Sequence, residues 1–205
     1  MNKLHDIIFN LLSHSFLYDL LQTVLGTYNY RKKITLNTIK NANSKVLDLG
    51  CGTANILNYI KIKHCNYFGI DFNKKYIKIA KKRFPKANFA TISIKDLDIK
   101  LFNSTDYVLL FAFIHHLNDS EVCNLLKKIK NSIKKNCEII TIDPVFVQNE
   151  IFVKKFLKKL DRGKFIRYDH QYKALFKKFF NIKKSYVHKT LWPPCDNFIS
   201  VLKPI

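Results

Sequence analysis

Short apolar runs alternate with longer amphipathic stretches through the middle of this 205-residue chain. Apolar side chains at helical spacing predict an N-terminal helix over residues 4–25, ending at Gly26, and a second helix over 31–40. The lysine-rich stretches 73–84 and 120–133 repeat this spacing and predict two more helices. Between the helices, five apolar runs predict strands at residues 46–49, 67–70, 89–94, 107–112 and 138–142.

Strands that alternate with helices favour a parallel sheet wound in both directions. Two last apolar runs, 185–191 and 198–202, flank a turn that contains Trp192, Pro193 and Pro194, and they predict an antiparallel hairpin. The expected fold is therefore α/β, with a doubly wound, mostly parallel seven-stranded sheet, helices on both faces and an N-terminal helical extension. We expect a single domain, with N-terminal helices (1–43), a ligand-binding core (44–143), an insertion that covers the substrate (144–182) and the hairpin (183–205).

The first predicted strand leads directly into the sequence Gly50-Cys51-Gly52, and Asp48 stands just before it. Glycine permits positive φ and close approach of a ligand to the backbone, so a glycine loop after a buried strand is typical of a nucleotide site. The second strand is followed by Asp71, nineteen residues beyond Gly52. An acid at this spacing is suited to accept hydrogen bonds from both ribose hydroxyls.

Residues 46–54, together with Asp71, resemble the glycine motif and the ribose-binding acid of the class I S-adenosylmethionine-dependent methyltransferases. A dinucleotide site fits less well, because its third glycine would fall on Asn55. The resemblance implies S-adenosylmethionine as cofactor and the class I fold. It also implies cofactor-binding roles, which are listed here by residue: Gly50, Cys51 and Gly52 against the methionyl part, Asp48 and Thr53 for polar contacts to it, Asp71 on the ribose and Phe72 on the adenine.

Plain structural roles remain open for two of these residues, because Asp71 is also a good helix N-cap and Phe72 a possible core aromatic. Two positions depart from the family pattern. Ala54 replaces a third small residue, usually glycine, which is tolerable if its φ is negative. Where the family often has an aspartate after the third strand, this chain has Ser93, followed by Ile94, with Asp96 as the alternative contact for adenine.

The fourth strand ends at Phe111, and His115 and His116 follow it. In the resembling family this position lies beside the transferring methyl group, so we expect Phe111 to contact the cofactor. Imidazole titrates near neutral pH, and one of the two histidines is therefore a candidate general base for a hydroxyl acceptor. Asp143, at the end of the fifth strand, is a second candidate or an orienting group. The alternatives are that one histidine caps the next helix while the other packs, and that Asp143 forms a turn before Pro144.

The formal net charge of +21 comes from lysine rather than arginine, since only Arg31, Arg83, Arg162 and Arg167 are arginines. A nucleic-acid site normally uses the planar guanidinium as well, so nucleic acid is the less expected partner. The basic, aromatic segment 151–180 suggests either an amphipathic lid helix with a solvated lysine face or a surface for phosphate or anionic membrane. The sequence Asp143-Pro144-Val145-Phe146 differs in content and position from the tetrad with which some enzymes grip a flipped base.

Five widely spaced cysteines show no metal-binding spacing and favour reduced thiols in a cytoplasm. We therefore expect methyl transfer to a hydroxyl or amine of a small molecule, with a sugar or a lipid head group among the options. An RNA methyltransferase is the first alternative, and a non-catalytic cofactor-binding scaffold or partner subunit is the second. The oligomeric state is not predicted.

Overall fold

The computed structural model describes residues 27–150, 152, 154, 155, 158, 163–190 and 196–205. Within these ranges the strands are β1 (Val46–Leu49), β2 (Tyr67–Asp71), β3 (Asn88–Thr91), β4 (Tyr107–Phe111), β5 (Glu138–Phe146), β6 (Arg167–Tyr168), β7 (Phe180–His188) and β8 (Asn197–Pro204). The α-helices are α1 (Thr27–Thr38), α2 (Lys74–Arg83), α3 (Asp119–Lys130) and α4 (Asp169–Lys177). Short 3-10 turns include Ile94–Asp96 and Ile114–His116.

The strands form one sheet in the order β3-β2-β1-β4-β5-β8-β7, and β6 pairs with the end of β5 outside this path. Strands β1 to β5 are parallel, and β8 runs antiparallel between β5 and β7. The predicted fold class is therefore confirmed, including the antiparallel C-terminal hairpin. Strand β6 is an addition, because its two residues extend the predicted seven-stranded sheet to eight strands.

Several strand ends differ from the predicted positions; β7, for example, begins at Phe180 and not at residue 185. Two of the differences affect residues that the sequence singled out. Strand β3 stops at Thr91, because Ser93 begins a 3-10 turn by accepting a hydrogen bond from the Lys95 N–H. Strand β5 continues past the predicted end at Ile142 to Phe146, and in this continuation Asp143 and Pro144 pair with β8. Proline is tolerated there because β4 pairs with β5 only as far as Ile142, so Pro144 has a neighbouring strand, β8, on one side only. Asp143 therefore lies within a strand, and the expectation that it might form a turn is wrong.

Both faces of the sheet are covered, as alternating strand and helix segments require. Helices α1 and α2 pack on one face, where Ile34 and Ile77 belong to the same buried apolar cluster as Ile140 of the sheet. Helices α3 and α4 pack on the other face around Leu126 and Tyr172. Local signals set the helix starts: the Asn73 side chain caps α2, and Asn118 with Glu121 forms a capping box on α3.

The segment predicted to be a covering insertion contributes to this core. Tyr172 and Phe176 of α4 are fully buried while Lys177 is exposed, so α4 is an amphipathic helix with a solvated lysine on its outer face. Other predictions lie outside the described residues, namely the helix over 4–25, the part of the basic segment that contains Arg162, and the turn over 192–195. No helix in the described part of the chain is long and apolar enough to cross a membrane.

Candidate active site

The glycine loop after β1 has the backbone conformation that its sequence predicts. Gly50 and Gly52 have φ angles of 77° and 55°, in the left-handed region that glycine adopts without strain. The N–H groups of Gly50 and Cys51 both donate to the Ile70 carbonyl, at 2.7 and 3.0 Å, which ties the loop to the end of β2. The Phe113 ring covers Gly50 so closely that an added Cβ would lie 2.6 Å from it. The loop therefore needs glycine for both its conformation and its packing.

Asp71, at the end of β2, lies against the same loop. Its Oδ2 accepts from the Gly52 N–H at 2.9 Å and its Oδ1 from the Asn73 N–H at 2.8 Å. Burial raises the pKa of Asp71, although these backbone bonds oppose the shift. Asn73, rather than Asp71, caps helix α2. The neighbouring Phe72 is 80% exposed, so it is not a core aromatic and its ring is accessible to a ligand.

Asp48 is buried beneath the loop and forms a pair that the sequence analysis did not identify. The Tyr67 hydroxyl donates to Asp48 Oδ2 at 2.5 Å. Burial raises the pKa of Asp48 to about 6, against the lowering effects of the Tyr67 bond and the positive charge of Arg31. Asp48 lies on β1 and Tyr67 on the adjacent parallel strand β2. No local pattern in the sequence marks Tyr67 as the partner of Asp48.

A cavity opens between the glycine loop, helix α1 and the end of β4. Arg31 enters it from α1, and its guanidinium lies 6.0 Å from the centre of the Phe111 ring. The cavity places predicted and unpredicted residues together, and its lining consists of Arg31, Asp48, Gly50, Cys51, Gly52, Thr53, Asn55, Ile56, Tyr59 and Phe111. Burial raises the pKa of the Cys51 thiol well above its ordinary value, which keeps it neutral.

Ala54 has a φ of 57°, so the condition of a negative angle, under which alanine would be tolerable, is not met. A residue with a Cβ therefore occupies the left-handed region, which costs an alanine more than a glycine. Ser93 and Ile94 follow β3, on the same sheet edge as Asp71, and Ser93 Oγ accepts from the Lys95 N–H at 3.4 Å. The alternative residue, Asp96, is exposed.

The histidine turn, defined as Phe113–Leu117, follows β4 on the same edge. His115 is buried, and Asp143 Oδ1 lies 2.8 Å from its Nδ1 and 3.1 Å from its backbone N–H. An ionised carboxylate only accepts hydrogen bonds, so Nδ1 carries the hydrogen in this pair when Asp143 is ionised. Burial raises the pKa of Asp143, while its bonds from His115 act in the opposite direction. Asp143 Oδ2 is also buried and has no hydrogen-bond partner among the described residues.

The two histidines differ sharply in exposure. His116 is exposed, and its ring centre lies 4.2 Å from that of the buried His115. Asn118 caps helix α3, so neither histidine has the predicted alternative role of a cap. Neither histidine belongs to the cavity lining, but Phe113, the first residue of their turn, packs on Gly50. One residue therefore joins the glycine loop to the histidine turn.

The comparisons agree with this geometry. A methyltransferase-domain family model matches residues 46–136. An uncharacterized methyltransferase of Bacillus cereus is 24% identical over 136 residues, which are 66% of this chain and 64% of the relative. Residues 46–136 therefore match the methyltransferase-domain family, and the chain resembles S-adenosylmethionine-dependent methyltransferases in sequence and fold. It spans less than two thirds of the length of that curated relative.

Solved methyltransferases share the fold. A methyltransferase from Methanosarcina mazei superposes with a TM-score of 0.66 at 18% identity, covering 84% of this chain and 97% of its own. Human N-acetylserotonin methyltransferase, solved in complex with S-adenosylmethionine, gives a TM-score of 0.66 at 16% identity, covering 95% of this chain and 58% of its own.

The methyltransferase cofactor, S-adenosylmethionine, fits the residues of this edge. Positive φ at Gly50 and Gly52 brings backbone close to the cavity, and the buried carboxylates of Asp48 and Asp71 suit an ammonium group and a ribose diol respectively. The exposed Phe72 ring is suited to adenine stacking. In the described part of the chain, no group of three or more His, Cys, Asp or Glu side chains is arranged to hold a metal ion.

Several site residues escaped the sequence analysis because no local pattern marks them. Arg31 and Tyr67 reach Asp48 from other elements, and Phe113 was not distinguished from its apolar neighbours. Gly163 packs its backbone on His115, where an added Cβ would lie 1.8 Å from the ring carbon Cδ2. The chain has only five glycines, and the rarity of glycine was the only feature of the sequence that could have drawn attention to Gly163.

Proposed function

We propose that this protein transfers the methyl group of S-adenosylmethionine to a hydroxyl or amine of a small molecule. The observation that carries the proposal is the packing of Phe113 on Gly50, which holds the histidine turn against the cofactor loop. When bound, S-adenosylmethionine supplies an electrophilic methyl group. The acceptor needs a lone pair held in line with that group, and a hydroxyl acceptor must also lose its proton.

His116 is the group that we assign to this proton. It is exposed at the carboxyl edge of the sheet, where ligands bind in folds of this kind, whereas His115 is buried against Asp143. In this assignment His115 and Asp143 position the turn that carries His116. Asp48 and Asp71 hold the cofactor, and Phe111 together with Phe113 covers its site on the side of β4.

The small-molecule acceptor is supported by where the arginines lie. Among the arginines that the structure describes, Arg31 enters the cofactor cavity, Arg167 is buried, and Arg83 alone lies on the exposed surface. A surface that reads phosphates or bases would be expected to present several.

The first experiment separates binding from turnover. Calorimetry with S-adenosylhomocysteine and transfer of labelled methyl groups to panels of hydroxyl and amine compounds establish the acceptor. With a hydroxyl acceptor, His116→Gln should lower kcat by about 10²–10⁴-fold, because the base is removed. Its affinity for S-adenosylhomocysteine should not change. The matched control is His170→Gln, an exposed histidine on α4 that should keep full activity.

With a hydroxyl acceptor the rate should also fall as the pH is lowered from about 8 to about 5, because a protonated imidazole does not accept a proton. With a neutral amine acceptor the loss in His116→Gln should be small, because the lone pair is already available. Full activity of His116→Gln on a hydroxyl acceptor across this pH range would remove His116 from the mechanism.

An RNA methyltransferase is the second candidate, favoured by the net charge of +21. An RNA methyltransferase would bind RNA tightly, with an affinity that falls steeply as the salt concentration rises, and would transfer methyl groups to the bound RNA. A non-catalytic scaffold would instead bind S-adenosylhomocysteine, methylate nothing in either panel and retain a stable protein partner. Contact of the lysine-rich surface with anionic membrane stays a prediction, to be measured by sedimentation with phosphatidylserine vesicles.

A further inference from the structure

Arg167 stands out among the basic residues because it is buried and heavily hydrogen bonded. Its side chain is 7% exposed, although it belongs to the segment whose basic residues suggested an anion-binding surface. Strand β6 delivers it, since Arg167 and Tyr168 pair with Val145 and Phe146 at the end of β5. The guanidinium therefore starts from the strand that pairs with the one carrying Asp143.

The contacts of Arg167 converge on the histidine turn. Nη2 donates to the Leu117 carbonyl at 2.7 Å and Nη1 to the Ile114 carbonyl at 3.4 Å, so the two acceptors flank His115 and His116 in sequence. Nη1 also donates to the Phe165 carbonyl at 2.8 Å. The Phe165 N–H in turn donates to the His115 carbonyl at 2.9 Å. The carbonyls of Ile114 and Leu117 are thus held by Arg167, and the carbonyl of His115 is held by Phe165.

Asp119 anchors the guanidinium from the other side. Nε and Nη2 donate to its Oδ1 at 2.9 and 2.7 Å, and its carboxylate is 74% exposed. Asp119 is the first residue of α3, where a cation is unfavourable to the helix dipole. Stabilisation of α3 is therefore a poor explanation for an arginine at this place, while the planar fork suits several carbonyls at once.

We propose that Arg167 is a positioning residue that fixes the histidine turn, and hence the His115 and His116 rings, for methyl transfer. The proposal rests on the function proposed above. Asp143 holds the turn through the His115 N–H and ring, and Arg167 holds it through the carbonyls. A turn held at both its donors and its acceptors keeps side chains within the narrow geometry that transfer chemistry needs.

Histidine NMR tests the proposal without needing turnover. The ring ¹⁵N signals of His115 and His116 are assigned with the His115→Gln and His116→Gln variants. They are then compared between the unsubstituted protein and the Arg167→Lys and Arg167→Met variants. We expect both signals to shift or broaden, because a lysine ammonium does not span the same carbonyls. The His64 signal, far along the chain in a different turn, serves as the internal reference. Arg83→Lys, at an exposed arginine, is the matched control and should shift neither signal.

Kinetics supply the second reading. With an accepted substrate, Arg167→Lys should lower kcat by about 10–100-fold with little change in KM or in affinity for S-adenosylhomocysteine, since geometry is disturbed rather than binding. Asp119→Asn changes an exposed residue and guards against misfolding of the arginine variants. It should shift the same NMR signals by a smaller amount.

Unchanged His115 and His116 signals in folded Arg167→Lys and Asp119→Asn would overturn the proposal. Shifted signals with undiminished turnover would support the role of Arg167 in holding the turn, and would count instead against His116 as the base.

Discussion

Around Gly50 and Asp71, the holding contacts come from the adjacent strand: Gly52 and Asp71 are 19 residues apart, and the loop N–H groups bond to Ile70. Around His115 the contacts come from more distant parts of the chain, with Asp143 28 residues away and Arg167 bonding to Leu117 across 50 residues. Phe113 joins these two halves by packing on Gly50. The cofactor half, which is the glycine loop with Asp48 and Asp71, is held by contacts close in sequence and largely through the backbone. The acceptor half, which is the histidine turn with Asp143, depends on side chains that tertiary folding brings together.

This difference predicts that the two halves can be damaged separately. Changes in the acceptor half should lower stability and turnover and leave the cofactor bound. Changes in the cofactor half should alter ligand affinity, and one of them should even stabilise the free protein.

The largest effect is expected at Asp143. Asp143→Ala leaves the His115 N–H and Nδ1 without their buried acceptor, which should lower the free energy of unfolding by about 3 kcal/mol. Urea denaturation measures this loss, and calorimetry on the folded variant should give an unchanged affinity for S-adenosylhomocysteine.

The control for Asp143 is Asp169→Ala, which removes an ion pair with Lys173 on the surface of α4 and should cost less than about 0.5 kcal/mol. If Asp143→Ala abolished cofactor binding in folded protein, the two halves would not be separable in this way.

Asp48 should show the reverse pattern, because its buried carboxylate serves cofactor binding and lowers the stability of the free protein. Its pKa is raised from 3.8 to about 6, chiefly by burial, so the folded state binds the proton more tightly than the unfolded chain. Stability of the ligand-free protein should therefore fall as pH rises from about 4 to about 6 and change little above that through this group. Asp48→Asn removes the penalty and should stabilise the free protein at pH 7.5 by about 1–3 kcal/mol.

The same variant should bind S-adenosylmethionine more weakly, because an amide does not attract the ammonium group. Denaturation at pH 4.5 and 7.5 separates the two effects. Asp71 and Asp143 also have raised pKa values, so the pH slope should shrink in Asp48→Asn and not disappear. An unchanged slope would mean that Asp48 does not carry the penalty.

Asp71 is expected to act mainly on affinity. Asp71→Ala should weaken binding of S-adenosylhomocysteine by about 1–3 kcal/mol through the lost ribose bonds. Asp169→Ala, at a surface aspartate of α4, is the matched control and should keep full affinity. Calorimetry measures both variants, and unchanged affinity in Asp71→Ala would remove the ribose assignment.

The contrast between the halves also explains what the sequence could predict. The strands, the glycine loop and Asp71 follow from apolar periodicity and local spacing, and the structure has them in the expected order. The contacts of Arg167 and the packing of Gly163 on His115 depend on β6, two residues long and without a periodic signal. Asp143 was predicted as a candidate, but its place inside β5 was missed because Pro144 indicated a turn.

Ala54 offers the smallest and most local test, because it departs from the glycine pattern in the half that the sequence describes best. Its φ of 57° strains an alanine, and a glycine there would relieve that strain while losing one buried methyl group and gaining unfolded-state entropy. These contributions nearly cancel, so Ala54→Gly should change the free energy of unfolding by less than about 0.5 kcal/mol. Ala80 is equally buried, at 0% exposure, but lies in helix α2. Ala80→Gly should therefore cost about 1–2 kcal/mol. Equal losses at the two positions, measured by urea denaturation, would show that the left-handed alanine carries no strain.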